Sequence, residues 1–545
     1  MSPRALKWRL RGRVSEPADE APSPLALTLG ELFDERWPNV DEAQVVVLGP
    51  PEATAELERA VRAARPRARV HALAERERDR LHVELAALGR SLLVIDLAPS
   101  RRRPKALVDV LLHLEPGGVL VVRPREGHDG SALVAELRQR FGALVGETSY
   151  RRGFLLVENR RLAFAKVREE QAADLLRLAP SLGRVLHTLP ALEHRSPGTI
   201  AVSESDHPQE FPTAWSVPSL AVREYHDVVS TPGQILTAGA VILPDSYRHW
   251  QHRALRHDYA PNLTPRYADV SVLPRFATPP EGGEPRRLSG SYFYLDDEFR
   301  GHFGHMTTEV VSRLWAWDEA KRADPGLKAL MHFNKKRHLA RWEVDLLGAY
   351  GIAEEDIEFT YDPVRVERLV AATPMFENPN YAHPGLAEVW GRIGARLAAQ
   401  SSVDVPERIF ISRRIKKRPC RNLPDVEQFF ADQGFTVLFP EDHSLADQVR
   451  IFRETEVVAG FIGSGLFNLM FAGAPKPVLI VASESYTGKN EALIAGVLGH
   501  DLHIAWSRSE GEWVGDRFAP GDYHAGFTVD LEREGAFLRD AIAAL

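Results

Sequence analysis

Two groups of residues have types and spacings suited to chemistry. The first begins at Asp296-Asp297-Glu298-Phe299-Arg300-Gly301-His302-Phe303-Gly304-His305 and runs into a helical pattern in which His305 and Glu309 stand four apart. They therefore share one helical face. A carboxylate beside an imidazole raises its basicity and fixes its tautomer, so the pair suits proton abstraction, with His305 as base and Glu309 as its orienting partner. The plain alternative is a helix-start histidine satisfied by a neighbouring acid. The second group lies between Glu407 and Val481. An apolar strand, Ile409-Phe410-Ile411-Ser412, enters the basic loop Arg413-Arg414-Ile415-Lys416-Lys417-Arg418, and a strand Val457-Val458-Ala459 ends in Gly460-Phe461-Ile462-Gly463-Ser464-Gly465 before a helix at Leu466-Phe467-Asn468. Glycines let backbone approach a ligand, and the unpaired amides of a first helical turn favour anions. Arg413 and Arg418 lie just past a strand end, where open parallel sheets bind ligands. Two guanidinium forks and one helix N-terminus suit a pyrophosphate. An ordinary tight turn beside a solvated basic loop is the alternative.

The elements that must position these groups follow an α/β pattern. Asn422 is placed to cap a helix from about Leu423, with Pro424, Asp425 and Glu427 in its first turn, and Gly434 to end it before a strand, Phe435 to Phe439. Ser444 and Asp447 form a capping-box-like start to a helix whose Leu445, Val449 and Phe452 share a face. Asn490 to Leu498 reads as a helix, Asp501 to Ile504 as a late strand, and Glu532 to Leu545 as an amphipathic helix crossing back over the cleft. Around His305, the helix buries Val310, Val311, Leu314 and Trp315. Tyr292 to Leu295 and Leu327 to Phe333 read as strands, and His338 to Tyr350 as a helix ending at Gly351. Asp356 to Thr360 and Val366 to Thr373 are further strands, and Pro384 to Ala399 a helix leading into a C-terminal domain. Asn334-Lys335-Lys336-Arg337 is a basic strand-end loop, suited to an acceptor or a diphosphate, or simply solvated. Asp296 and Asp297 could hold a divalent cation, but adjacent strand residues point oppositely. They read as a solvated strand end in a protein that needs no metal. From Ile200 to about Phe276 the chain suggests irregular structure and short strands such as Ala240 to Leu243.

The second group and its surroundings resemble the C-terminal signature of glycosyltransferase family 61. The matching residues are Ser412-Arg413, Arg418, Asn422 and Glu427, then Pro440-Glu441, Leu445, Gln448 and the turn from Gly460 to Asn468. Gly304-His305, Glu309 and Arg313-Leu314 resemble that family's N-terminal signature, and the likeness spans about residues 220 to 505. It implies a GT-B-like pair of Rossmann-like domains and inverting transfer from a nucleotide sugar, usually UDP-linked, to a glycan or glycoconjugate acceptor, as in surface or capsular polysaccharide synthesis. It also implies Arg413 and Arg418 on the diphosphate, the amides of Gly463, Ser464 and Gly465 in support with Asn468 in the same helix, and Arg313 bracing the helix of His305. Two departures stand out: Ile462 where the family has histidine, with Ser464 where it has alanine, and no glutamate in Val478-Leu479-Ile480-Val481-Ala482-Ser483. They support a second reading, a catalytically inactive nucleotide-sugar-binding scaffold.

Between Gln44 and Pro124, strands at Val45–Leu48, Arg69–Leu73, Leu92–Asp96 and Val119–Arg123 alternate with helices at Glu52–Ala64, Glu75–Leu88 and near Lys105–Leu114. That order implies a parallel, doubly wound sheet. With Leu114-Glu115-Pro116-Gly117-Gly118-Val119-Leu120, the segment resembles an S-adenosylmethionine-dependent methyltransferase fold. That family's cofactor loop needs small residues, whereas Gly49-Pro50-Pro51-Glu52 loses two amide donors. The likeness therefore implies a scaffold or docking domain without cofactor. A working methyltransferase with a carbohydrate-binding module is the third reading.

At 545 residues the chain holds about three domains at roughly 150 residues each. The division expected is a basic tail and linker over 1–40, a methyltransferase-like domain over 41–195, and glycosyltransferase halves over 196–400 and 401–545, with Leu175, Leu176, Leu178 and Leu182 on one helix. A net charge of −7 offers no general attraction for nucleic acid. The single Cys420 excludes an internal disulfide and a cysteine-cluster metal site, and fits a reducing, cytoplasmic setting. No apolar run nears the roughly 18 residues of a membrane span. The basic N-terminus, Arg4 to Arg13 with Leu6, Trp8 and Leu10, suits a solvated tail or peripheral contact with an anionic membrane. Donor sugar, acceptor linkage and oligomeric state are not written in these motifs.

Overall fold

The structure is a computed structural model and describes residues 23–74, 78–96, 110–124, 130–142, 144–162, 164–207, 209–246, 276–277, 284–297, 299–333, 340–414 and 417–545. The basic tail, most of the segment near Lys105 and the loop 334–337 lie outside them. The chain forms two units, Met1–Ala163 and Phe164–Leu545, both mixed α/β.

In the first unit a six-stranded sheet runs in the order Arg69–Leu73, Gln44–Leu48, Ser91–Asp96, Leu114–Val122, Phe154–Asn159 and Val145–Arg151. The first four strands are parallel, as the strand–helix alternation demands. Phe154–Asn159 lies antiparallel to Leu114–Val122 and forms a hairpin with Val145–Arg151. Pro24–Arg36, inside the expected linker, is instead a helix. Ser23 Oγ accepts from the Ala26 amide at 3.2 Å, and Pro24 occupies the first turn, where its missing N–H costs nothing. Leu25, Leu29, Leu32 and Phe33 then bury against Val45, Val47 and Leu57. At Gly49-Pro50-Pro51 the chain goes straight from strand to helix, with Pro50 at the cap and Pro51 in the first turn.

Besides three two-stranded pairs, the second unit holds two large sheets among the described residues. The smaller is wholly parallel, in the order Ile200–Val202, Asp501–Ser507, Pro477–Ser483, Val457–Phe461, Arg408–Ile411 and Thr436–Leu438. Parallel sheets are covered on both faces, and here Leu423–Asp432 and Arg533–Ala543 cover one of them. Leu538, Ala541 and Ile542 pack with Phe430 and Leu479. The last helix therefore backs this sheet and does not cross the cleft, because its apolar stripe finds a sheet face to bury. The larger sheet has ten strands among the described residues. At its centre Leu220–Thr231 lies antiparallel to Val364–Ala372, beside which Arg286–Tyr294, Lys328–His332 and Ile357–Thr360 are parallel. Helix Leu386–Ala398 buries Val389, Trp390, Ile393 and Leu397 in a core that also contains Leu314, Leu346, Leu466 and Ile480, so one apolar mass joins the two sheets. Each such side chain contributes about 1.5–3 kcal/mol on burial.

Three expectations change here. Residues 164–195 belong with the second unit, because Phe164–Lys166 pairs with Val241–Ile242 and Gly183–Leu189 with Leu220–Thr231. The helix in that stretch is Glu169–Leu178, so Leu182 lies beyond it and Leu178 is exposed. Most of all, the segment read as irregular contains the twelve-residue strand Leu220–Thr231. Two of its charged residues, Arg223 and Glu224, are buried in ion pairs. Arg223, 2% exposed, bonds Glu169 and Asp245, and the Tyr225 hydroxyl donates to Asp245 at 2.7 Å. Glu224 accepts from Arg368 at 2.6 Å and from Arg184 at 3.2 Å.

Removing one partner of a buried ion pair strands the other. Arg223→Ala is expected to destabilise the second unit by about 3–5 kcal/mol in urea unfolding, whereas Arg184→Ala, on a largely exposed arm, should stay within about 0.5–1 kcal/mol.

Candidate active site

The helix that carries His305 is irregular. A single α-turn, Phe303–His305, leads into a π-helical turn, Met306–Val310, then a 3₁₀ stretch, Val311–Ala316, and the α-helix Trp317–Ala323. Thr307 and Thr308 hydroxyls donate back to the Gly304 carbonyl, competing with the backbone ladder. Wide turns of this kind recur at functional sites. Here the turn still places His305 Nδ1 2.9 Å from Glu309 Oε1. Phe299 stacks on the imidazole with ring centroids 4.4 Å apart. Val310, Val311 and Leu314 are buried as the pattern predicts, whereas Trp315 is half-buried with its indole donating to the Thr373 carbonyl. Arg313 is buried and donates to the Asp296 carbonyl at 2.7 Å, tying the helix to the preceding strand end.

Asp296 and Asp297 are not solvated. They are 0% and 2% exposed, because the strand ends inside the unit. Asp296 accepts from the amides of Gln234 at 2.7 Å and His332 at 3.0 Å, and burial pushes its carboxyl up to about 6. Asp297 accepts from the Phe299 amide, holding the turn before His302, and burial and then the nearby Glu309 raise its carboxyl.

On the opposite wall, the turn after Val457–Phe461 becomes a 3₁₀ helix, Ser464–Phe471, rather than an α-helix. Gly463 has φ +130, a conformation that favours glycine. Its amide is not free for a ligand: it donates to Glu491 Oε1 at 2.7 Å. The amides of Ser464 and Gly465 open the helix, where no carbonyl of the same helix reaches them. Glu491 is buried, which raises its carboxyl, and the Tyr486 hydroxyl donates to it. Sequence reasoning missed it. The signal was a lone acid opening the otherwise apolar helix Asn490–Leu498. A glutamate does follow Pro477–Ser483: Glu484 is buried, accepting from Ser205 at 2.6 Å.

The two arginines differ. Arg418 has φ +49, and its guanidinium lies 5.0 Å from the ring centroids of both Tyr486 and Tyr523. A Cβ on Gly463 would sit 2.9 Å from Arg418 Nη2, so the loop and the glycine turn meet there. Arg413 lies over Phe461 and Phe527, donates to the Arg418 carbonyl, and is pushed down to about 10 by burial and then by Arg418. Asn422 stands at the cap position of Leu423–Asp432, but its side chain pairs with the Val529 backbone through bonds of 2.9 and 3.1 Å. Ser412 Oγ donates to Glu427, and Asn468 Nδ2 to Gln448 Oε1 at 3.0 Å.

His305, Glu309, Arg413, Arg418, Gly463, Ser464, Gly465 and Asn468 all line one cleft of about 880 Å³, with Ile462 in its lining, whereas Arg313 is not among the lining residues. Arg418 Nε and Asn468 Oδ1 are buried without a hydrogen-bond partner among the described residues. The walls meet at Gly304, where a Cβ would fall 3.0 Å from Phe467 Cε2 and 3.2 Å from Ser464 Cβ. Among the described residues no three His, Cys, Asp or Glu side chains gather as a metal site.

Gly304→Val forces both walls to move, and thermal unfolding should show a loss of about 1–3 kcal/mol. A titration is expected from Asp296. Its folded-state carboxyl keeps a proton to about pH 6, whereas the unfolded one releases it near the ordinary 3.8. Stability from this group is therefore greatest in acid and falls as pH rises through that window. The melting temperature of the wild type relative to Asp296→Asn should drop between about pH 4 and pH 7, and a flat difference would contradict the burial of this charge.

No curated protein sequence matches the chain. Solved structures similar to it include methyltransferases. The MycE methyltransferase of mycinamycin biosynthesis is 15% identical over 24% of this chain and 49% of its own, with a TM-score of 0.19, so the chain spans about half of that protein. The protein-(glutamine-N5) methyltransferase of Alicyclobacillus acidocaldarius is 12% identical over 26% and 94%, with a TM-score of 0.21. The Haemonchus contortus phosphoethanolamine N-methyltransferase 2 is 8% identical over 95% and 83%, with a TM-score of 0.18. Likenesses this slight fix neither fold nor chemistry. The site residues carry a firmer match: residues 303–480, which hold His305, Glu309, the arginine loop and the glycine turn, match the family Glycosyltransferase 61.

Proposed function

We propose that the second unit is an inverting glycosyltransferase of GT-B type, taking a UDP-linked sugar as donor and a glycan or glycoconjugate as acceptor, as in surface polysaccharide synthesis. One observation carries this reading. The His305–Glu309 pair and the Arg418–Gly463 junction face each other across a single cleft inside a region that matches the glycosyltransferase 61 family. His305 removes the proton of the acceptor hydroxyl, with Glu309 holding the ring. The freed oxygen attacks the anomeric carbon as its bond to the diphosphate breaks, which inverts that centre. Arg418 and the amides of Ser464 and Gly465 receive the leaving diphosphate. Arg413 acts mainly by holding the Arg418 loop, and Asn468 offers its unpaired Oδ1. Because guanidinium charge faces the diphosphate, no metal is required. In this reading the halves are roughly 164–400 and 401–545, and the first unit is a methyltransferase-like docking domain without cofactor, since Pro50 and Pro51 stand in the turn just after the first strand.

Ile462 favours a second reading. It is 3% exposed and belongs to the apolar core, so position 462 offers the cleft no titratable side chain. A binding scaffold needs none.

Thermal shifts with UDP, GDP, CMP, ADP and S-adenosylmethionine separate these readings. The expected result is a UDP shift that is lost in Arg418→Ala and weakened in Arg413→Ala. His305→Ala should keep that shift while transfer, and slow donor hydrolysis, fall about 10²–10⁴-fold. A UDP shift with no turnover in the wild type would establish the scaffold, and a shift with S-adenosylmethionine alone would overturn the transferase.

A further inference from the structure

A cavity of about 360 Å³ opens beside the cleft and shares Phe303, Pro440, Glu441 and Gln448 with its wall. Trp342 and Asp345 complete it from the helix Arg341–Tyr350. Three apart, they are neighbours on one helical face. The half-buried Trp342 indole and the Phe303 ring meet edge to face, with centroids 5.4 Å apart, and form an apolar corner. Asp345 and Glu441 set two carboxylates against one guanidinium, Arg341, which is already bound to Asp345 at 2.8 Å, with the imidazole of His443 in the same lining. Neither cleft arginine nor any glycine of the turn lines this chamber. Its charge therefore repels a phosphate but suits a neutral ring bearing hydroxyl donors.

A pyranose has that chemistry. One face is C–H and packs on an aromatic ring, while the rim donates hydrogen bonds to carboxylates. The chamber also adjoins the base, since Phe303 precedes His305 by two residues. It is braced as well. Glu343 accepts from the Ala340 amide at 3.0 Å and pairs with the buried Arg300 at 3.4 Å, fixing the Trp342 helix to the loop before His305.

We propose that this chamber is the acceptor subsite and holds a neutral sugar ring, with Trp342 as the stacking face and Asp345 and Glu441 receiving its hydroxyls. The assignment rests on the transferase reading of the cleft and adds where the acceptor binds, which residues hold it and that the ring it takes is uncharged.

The test is saturation-transfer NMR on the full chain with a panel of methyl glycosides at millimolar concentration and no donor. It is run on wild type, Trp342→Ala and Asp345→Asn, with the UDP thermal shift measured on each sample. At least one glycoside should receive saturation at its ring protons, and Trp342→Ala should weaken its binding about tenfold. Asp345→Asn, which keeps the side chain's shape, should weaken it several-fold, and both variants should retain the UDP shift. Glycoside binding that ignores both substitutions, or no glycoside bound by the wild type, overturns the proposal. So does a panel of capped tyrosine and leucine amides that binds through Trp342 in place of the sugars. Trp342-dependent sugar binding without any UDP shift would sustain the chamber and refute the donor cleft.

Discussion

The site depends on a close approach that a glycine makes easy. Gly304 lies against Ser464 and Phe467, so the first turn of one helix touches the first turn of another from a different sheet. His305 follows directly, and the anion-favouring amides start at Ser464. Had residue 304 carried a side chain, base and amide cradle would face each other across a wider gap. The apolar mass around Trp390 and Ile393 holds the two sheets at that separation, so side chains far from the cleft set a distance within it.

Arginines in this unit sort by partner. Arg223, Arg300, Arg368 and Arg392 are matched with carboxylates, which neutralises them where they sit. Arg413 and Arg418 rest on the faces of Phe461, Phe527, Tyr486 and Tyr523. An aromatic face positions a guanidinium without cancelling its charge. The cleft thus keeps positive charge in a fixed place, which a diphosphate can answer.

Much of this was legible in the chain. The His305–Glu309 pair needed only helical spacing, and the parallel C-terminal sheet only its regular alternation of short apolar runs with capped helices. What escaped depended on pairs distant in sequence. Leu220–Thr231 hid because Arg223, Glu224 and Tyr225 find their partners at Glu169, Asp245 and Arg368. Asp296 and Asp297 looked like a wet strand end because the amides that receive them belong to other segments and to the next turn. The Gly463 amide seemed open until Glu491 arrived from a later helix. Local pattern shows where backbone is regular. It does not show which charges have a distant counterpart.

The edge strand Ile200–Val202 bears on how the protein is made. It pairs in parallel with Asp501–Ser507, and Asp501 also receives the amide and hydroxyl of Thr199, 302 residues earlier. A ribosome adding about 5–20 residues per second needs roughly 15–60 seconds to cover that interval. During that time the chain can close the ten-stranded sheet, but the edge strand must wait without its ladder, a row of unmet amides and carbonyls open to other chains. The C-terminal sheet is therefore finished by an early part of its own unit, and its completion reports that synthesis has passed the glycine turn and Glu491.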